Sequence, residues 1–365
     1  MAHGLEERNG KFSFAENGSR ERAWHGLGEV VNEPMFVADA LKLCRADYNV
    51  ALQPIVALSD ELKTAMDNGE MINASMLRDL LVDGKMATMR TDLNAALGIT
   101  SDAYGIVQNE DAFKFVDMLC SGMGSERTEK PTIECCGVLG KGERVFVTCK
   151  MPQDIILNPR IDDRIETYVV FTTSHDGTGS VRCMVTNVRV VCSNTLNWAM
   201  KHNSGRIAFR HSSKVMSRLD LLNKENAEFA YRTLGLWNEY EKSFKESLEH
   251  LRNIKLAEKD LDNIIAEITL ADEAKKAFLE TRNIEHEDIK TRGRNIFLGM
   301  KEAMEGGIGQ DILERGTALW AINGITTYFQ NEANFKNQEV MFDNVMDGNV
   351  YKKVQKAYDM MLVAA

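Results

Sequence analysis

The chain has 365 residues, 44 Lys and Arg against 54 Asp and Glu, a net charge of −10 and 44% hydrophobic residues. That length suits one large or two ordinary domains, and the apolar fraction excludes wholesale disorder. Five prolines and 26 glycines exclude collagen-like and Pro-rich low-complexity architectures.

No window approaches 18 consecutive apolar residues, so no membrane partner is expected. The opening residues carry Glu6 and Glu7 and no apolar run, unlike a secretory leader. Seven cysteines without C-x-x-C spacing argue for free thiols in a reducing compartment rather than a disulfide framework or zinc ribbon. The acidic total disfavours attraction of the whole surface to nucleic acid or anionic lipid. Any anion-binding role must come from a local patch.

Residues 1–35 read as an irregular arm with an aromatic anchor at Trp24-His25-Gly26. Residues 37–44 suit a short helix, 48–56 a strand, 60–67 a helix and 84–90 another strand. Tyr104 to Gln108 reads as a short strand, with Asn109 as N-cap of a helix over 110–120. Three β-like runs follow at 133–139, 144–151 and 166–174, the first two separated by Gly140-Lys141-Gly142 as by a hairpin loop. A fourth run, 181–191, follows the turn His175-Asp176-Gly177. From 212 to about 305 the chain is rich in Leu, Ala, Glu and Lys and reads as several helices, with a further amphipathic helix at about 316–331. The expected fold is α+β: an antiparallel β-rich central sheet flanked by helices, with a helical C-terminal part. The expected organisation is an N-terminal arm (1–35), an α+β core (36–212) and a mainly helical region (213–365).

One stretch is electrostatically unlike the rest. Residues 177–219 contain no Asp or Glu in 43 positions, yet hold Arg182, Arg189, Lys201, Arg206, Arg210, Lys214 and Arg218. A basic stripe in an acidic protein is the pattern of a polyanion groove. The alternative is that these cations pair internally with acids of the helical part. Strand parity, with one slip near Thr186-Asn187, places Arg182 and Arg189 on one outer face. The alternation from Arg206 to His211 puts Arg206 and Arg210 together, with Phe209 behind them. Trp198, Phe209 and Tyr168 are rings available to stack on bases. Ser193, Asn194 and Thr195 suit a helix start whose free N–H groups would favour a phosphate.

His175-Asp176-Gly177 reads first as a hairpin turn, with a metal or acid–base role as the alternative. His25, His175 and His211 lack ligand spacing. No nucleotide-, metal- or nucleophile-type motif appears, so no cofactor and no catalytic residue are assigned.

The segments Trp24-His25-Gly26-Leu27-Gly28, Tyr104 to Glu110, Ser174-His175-Asp176-Gly177, Thr186 to Leu196 and Gly316 to Gly324 together resemble a phage/plasmid-like family, domain of unknown function 932. The resemblance covers about residues 20–360 and implies a mobile-element protein in the cytoplasm of a bacterial host. The order of elements is also similar, at fold level alone, to phage single-strand annealing recombinases. The leading expectation is therefore a homo-oligomeric protein that binds single-stranded DNA and promotes annealing. The rival from another class is an interaction protein that binds a host defence or replication protein through its acidic surface. A third reading is an enzyme using His175 and Asp176.

Overall fold

The computed structural model describes residues 5–18, 27–33, 35–120, 132–158, 163–189, 194–195, 206–233, 239–336, 340–341, 344–345 and 348–363. It is an α+β fold whose largest sheet has eight strands. The chain divides into two units that are discontinuous in sequence. One comprises Met1–Pro152, Val169–Met184 and Ile207–Ala230; the other comprises Gln153–Tyr168, Val185–Arg206 and Tyr231–Ala365.

In the first unit, a two-stranded ribbon (β1, Glu7–Arg8; β2, Lys11–Phe12) precedes β3 (Phe14–Asn17) and β4 (Glu29–Val31). β3 runs parallel to β4 and antiparallel to β8 (Thr132–Leu139), so the large sheet is mixed. β8 pairs antiparallel with β9 (Arg144–Asn158) through the expected Gly-Lys-Gly loop. In strand order the sheet continues with β10 (Asp163–Ser174), β11 (Val181–Arg189) and β12 (Asn194–Thr195), and β13 (Arg206–Phe209) also pairs with β11; β9, β10, β11 and β13 each contribute residues to both units, and β12 belongs to the second. A separate three-stranded sheet is formed by β5 (Val50–Val56), β6 (Leu81–Arg90) and β7 (Ala95–Ser101), all antiparallel.

The helices of this unit obey local chemistry. α1 is Val37–Leu43, and α2 (Asp60–Asp67) is capped by Ser59, whose Oγ accepts from the Leu62 N–H at 3.2 Å, with Asp60 and Glu61 in its first turn. α3 (Ala74–Arg78) is capped by the Asn73 side chain. α4 (Asn109–Cys120) buries Phe113, Val116 and Leu119 at helical spacing, as its sequence pattern predicts. α5 (Val215–Leu219) and α6 (Lys224–Thr233) follow the last strand.

The second unit is built around α7 (Glu239–Asn253), α8 (Glu258–Thr269), α9 (Asp272–Thr281), α10 (Thr291–Gly306), α11 (Ala318–Thr327) and α12 (Asn349–Val363). Every residue of α11 is buried, the polar Asn323, Thr326 and Thr327 included, so it is the axis of this core rather than the amphipathic surface helix expected there. Gly324 lets α10 come close: a Cβ there would collide with Met304 and fall 2.7 Å from Gln310 Nε2. α11 runs into a π-helical turn, Tyr328–Glu332. Ile155 and Ile165, from β9 and β10, join the same core.

Three local expectations are corrected. Residues 104–108 are not a strand: Gln108 instead uses its side chain to satisfy both backbone groups of Val50, with Oε1 accepting at 3.0 Å and Nε2 donating at 2.9 Å. Asn109 is the first residue of α4 rather than a capping side chain, because its amide is committed elsewhere, as described below. Asn194 and Thr195 form a strand antiparallel to β11, with Val188 opposite Thr195, rather than a helix start. Free helix N–H groups for a phosphate are therefore not found at those two residues; Ser193 lies outside the described residues.

Candidate functional site

Two features of the first unit bring sequence-marked residues together, one buried and one exposed.

The buried feature gathers the Tyr104–Asn109 and His175-Asp176-Gly177 motifs. Asn109 Nδ2 donates to the Ala46 carbonyl at 2.8 Å, which leaves its Oδ1 to accept from His175 Nε2 at 2.8 Å. That fixes the His175 proton on Nε2 and leaves Nδ1 as a buried lone pair without a hydrogen-bond partner. Burial first, and neighbouring His211 second, push the His175 imidazole down to about 3. His211 stacks on Tyr104 with ring centroids 4.7 Å apart and donates from Nδ1 to the Gly105 carbonyl at 2.9 Å. Burial also lowers its pKa. Both imidazoles are therefore neutral near pH 7. The Tyr104 hydroxyl donates to the Ser174 carbonyl at 2.8 Å, tying the two motifs a second time.

Next to His175 lies Tyr48, edge-on at 6.2 Å, and over the Tyr48 ring sits the Arg90 guanidinium, 3.7 Å from its centroid. Arg90 is fully buried. It donates from Nη1 to Glu6 and, at 3.0 Å, to the Lys141 carbonyl, and from Nε to Asp92 Oδ1 at 2.8 Å. Ser13 Oγ donates to the other Glu6 oxygen at 2.7 Å. Burial alone would lower the Arg90 pKa, but the Asp92 hydrogen bond and the Glu6 charge reverse that and raise it. The Tyr48 hydroxyl donates to the Gly142 carbonyl at 2.9 Å, and burial raises its pKa. Gly142 has φ +113°, and a Cβ there would lie 2.8 Å from Arg90 Nη1. The hairpin loop thus closes the cluster only as glycine.

The hydrogen bonds of this cluster tie together segments far apart in sequence. His175 is buried, whereas Asp176 turns to its own loop, accepting from Thr178 N–H at 2.9 Å and Thr178 Oγ1 at 2.8 Å. The two side chains of the proposed acid–base pair therefore serve different partners, and the H-D-G segment is the expected hairpin turn between β10 and β11. Gly98 of β7 approaches this turn so closely that a Cβ would lie 2.5 Å from Asp176 Cα. Among the described residues, no group of three or more His, Cys, Asp or Glu side chains is arranged to hold a metal ion.

The exposed feature lies in residues 207–230. Ile207 is buried, Ala208 and Arg210 are exposed and Phe209 is half-buried, which is the alternation read from the sequence. Buried Val215 and Leu219 anchor α5, and the exposed Lys214 and Arg218 are four residues apart, on one side of that turn. Among the described residues, Arg210, Lys214 and Arg218 take part in no ion pair, so the internal salt bridges offered as the alternative are not made by these three. Phe209 lies 6.5 Å, centroid to centroid, from Phe229, which is 52% exposed. Phe229 was not marked in the sequence because it lies beyond Asp220, where the acid-free stretch ends. Met216 and Leu222 are exposed beside it in sequence.

The remaining marked residues are placed differently. Arg182 is half-buried on β11 and donates from Nε to Ser180 Oγ at 3.2 Å. Arg189 and Arg206 lie at the ends of β11 and β13, their side chains outside the described residues. Lys201, Trp198 and Ser193 lie outside the described residues, as do Trp24, His25 and Gly26. Tyr168 is buried and its hydroxyl donates to Glu166 at 2.7 Å, so its ring is part of the interior rather than a stacking surface.

No helix among the described residues is long and apolar enough to cross a membrane. No curated protein and no solved structure matches the chain. Residues 96–352 match a family model, and that segment holds the H-D-G turn, Asn109, the three free cations and both phenylalanines. The chain belongs to the family described as Domain of unknown function (DUF932).

Proposed function

We propose that this protein binds single-stranded DNA through Phe209, Arg210, Lys214, Arg218 and Phe229, which lie within one short exposed segment, in the service of strand annealing on phage or plasmid DNA. The observation that carries this reading is the conjunction of three exposed cations, in no ion pair among the described residues, with two adjacent, partly exposed phenyl rings. Cations that pair with no carboxylate are free to meet phosphates, and exposed phenyl rings offer stacking platforms to splayed bases. Such stacking needs unpaired bases, which is why single strands are preferred over duplex. Lys201, Arg206 and Arg189 extend the same basic stretch in sequence. The mobile-element setting and the annealing step rest on the resemblances described above.

Fluorescence anisotropy with a labelled oligo(dT) across a salt series tests this. Three phosphate contacts predict a log–log slope of about −2. Lys214→Glu with Arg218→Glu weakens binding and flattens the slope, and Phe229→Ala weakens binding about 5- to 150-fold, as roughly 1–3 kcal/mol of stacking implies. Equal affinity of wild type and both variants removes this face from the site. Absence of binding at low salt refutes the reading and turns attention to a protein partner.

A further inference from the structure

The first unit carries a second unusual surface, opposite in charge to the first. From residue 66 to residue 85 no residue is buried, although this stretch includes α3 and the start of β6. Met66, Met71, Ile72, Met76, Leu81 and Val82 are all exposed, Met71 by 94%. Six exposed large apolar side chains within 17 residues are a denser run than the single exposed apolar residues of an ordinary surface. Flexible thioethers suit a surface that adapts to a partner.

The exposed charges of residues 60–85, the arm, are mainly acidic. Asp60, Glu61, Asp67, Glu70, Asp79 and Asp83 are exposed, against Lys63, Arg78 and Lys85, and none of them takes part in an ion pair among the described residues. Three excess negative charges repel nucleic acid and anionic lipid surfaces alike. They suit a partner that is cationic and partly apolar.

This chain displays such a segment itself: Arg210, Lys214 and Arg218 close in sequence to the exposed Met216, Leu222 and Phe229, with Leu222 74% exposed. We propose that the acidic, Met-rich arm of one copy docks on the cationic, aromatic face of a second copy. Carboxylates of the arm take the places of phosphates, and its methionines take the places of bases. The inference rests on the functional reading above in treating that face as a polyanion site, and it names the regulation of that site. A neighbour's arm and single-stranded DNA compete for it. The contact is heterologous, so each copy still offers one free arm and one free face, and assembly can continue beyond a dimer.

Sedimentation velocity of the full chain across concentration, without DNA, tests the docking. Wild type self-associates, more weakly at high salt. Met71→Lys with Asp79→Lys breaks the arm, and Lys214→Gln with Arg218→Gln breaks the face. Each double variant alone associates at least tenfold more weakly, with unchanged circular dichroism. Their mixture keeps one intact arm and one intact face, and so gives a 1:1 heterodimer and nothing larger. Adding oligo(dT) to wild type dissolves the assemblies. A monomeric wild type, or a mixture that fails to pair, overturns the docking even if oligo(dT) binds normally. A heterodimer in a protein that binds no oligo(dT) supports the docking and refutes the DNA reading instead.

Discussion

Acidification tests the buried cluster most directly. His175 is fully buried, with its Nε2–H on Asn109 and its Nδ1 unpartnered, and burial holds its pKa near 3 against 6.5 for the ordinary imidazole. The unfolded chain therefore takes up a proton at this residue well before the folded one does. Above pH 6.5 the residue is neutral in both states and carries no penalty. As pH falls through 6.5 toward 3, the unfolded state gains protonation energy that the folded state lacks, and stability declines. The full difference of about 3.5 pH units corresponds to about 5 kcal/mol, of which about 2 kcal/mol is lost between pH 7 and pH 5. In His175→Gln the amide N–H can still donate to Asn109, but nothing titrates. Urea unfolding of both proteins at pH 7 and pH 5 isolates the effect, because the other carboxylates and His211 are common to both. The stability advantage of wild type over the variant at pH 7 is expected to shrink by about 2 kcal/mol at pH 5. Parallel pH dependences in the two proteins would refute the assignment of a neutral, desolvated His175.

Two further perturbations probe the same cluster. Arg90→Met leaves Glu6 buried without its partner and is expected to cost about 3–5 kcal/mol. Arg90→Met combined with Glu6→Gln recovers part of that loss in a double-mutant cycle of urea midpoints, and strict additivity would show that the pair does not interact. Gly142→Ala meets both a left-handed backbone and the Arg90 guanidinium, whereas Gly10, at φ +74°, has open space around its missing Cβ. Gly142→Ala is therefore expected to be destabilising by about 1–3 kcal/mol more than Gly10→Ala, and equal melting temperatures for the two would show that the loop does not press on Arg90.

Periodicity made much of this architecture readable. α4 follows from apolar residues at helical spacing, the position of α11 (though not its burial on every side) follows from its apolar content, and the β8–β9 hairpin follows from two apolar runs around Gly140-Lys141-Gly142. These are local signals: each depends on residues within one turn or one strand. The errors arose where a residue's strongest partner is far away in sequence. Asn109 is a good capping residue by type, yet its amide is claimed by Ala46 and by His175, 63 and 66 positions away. Asn194 and Thr195 have helix-start chemistry, but pairing with β11 decides their conformation. Tyr168 looked like a stacking ring because an aromatic residue in a strand does not announce which side of the sheet it faces.

What the sequence determined by itself is the α+β class, most element positions, the H-D-G turn and the acid-free stretch that leaves three cations exposed on the first unit. All of these are set by side-chain type and by spacing along a few residues. The tertiary structure alone decided that Glu6 and Arg90, 84 positions apart, share a buried ion pair, that His175 is sealed inside and held neutral, and that Phe229 stands beside Phe209. It also decided that the methionines of residues 66–76 face outward rather than into a core. The physical reason is that burial, and with it the strength of charges and hydrogen bonds, depends on which distant segments the sheet brings together.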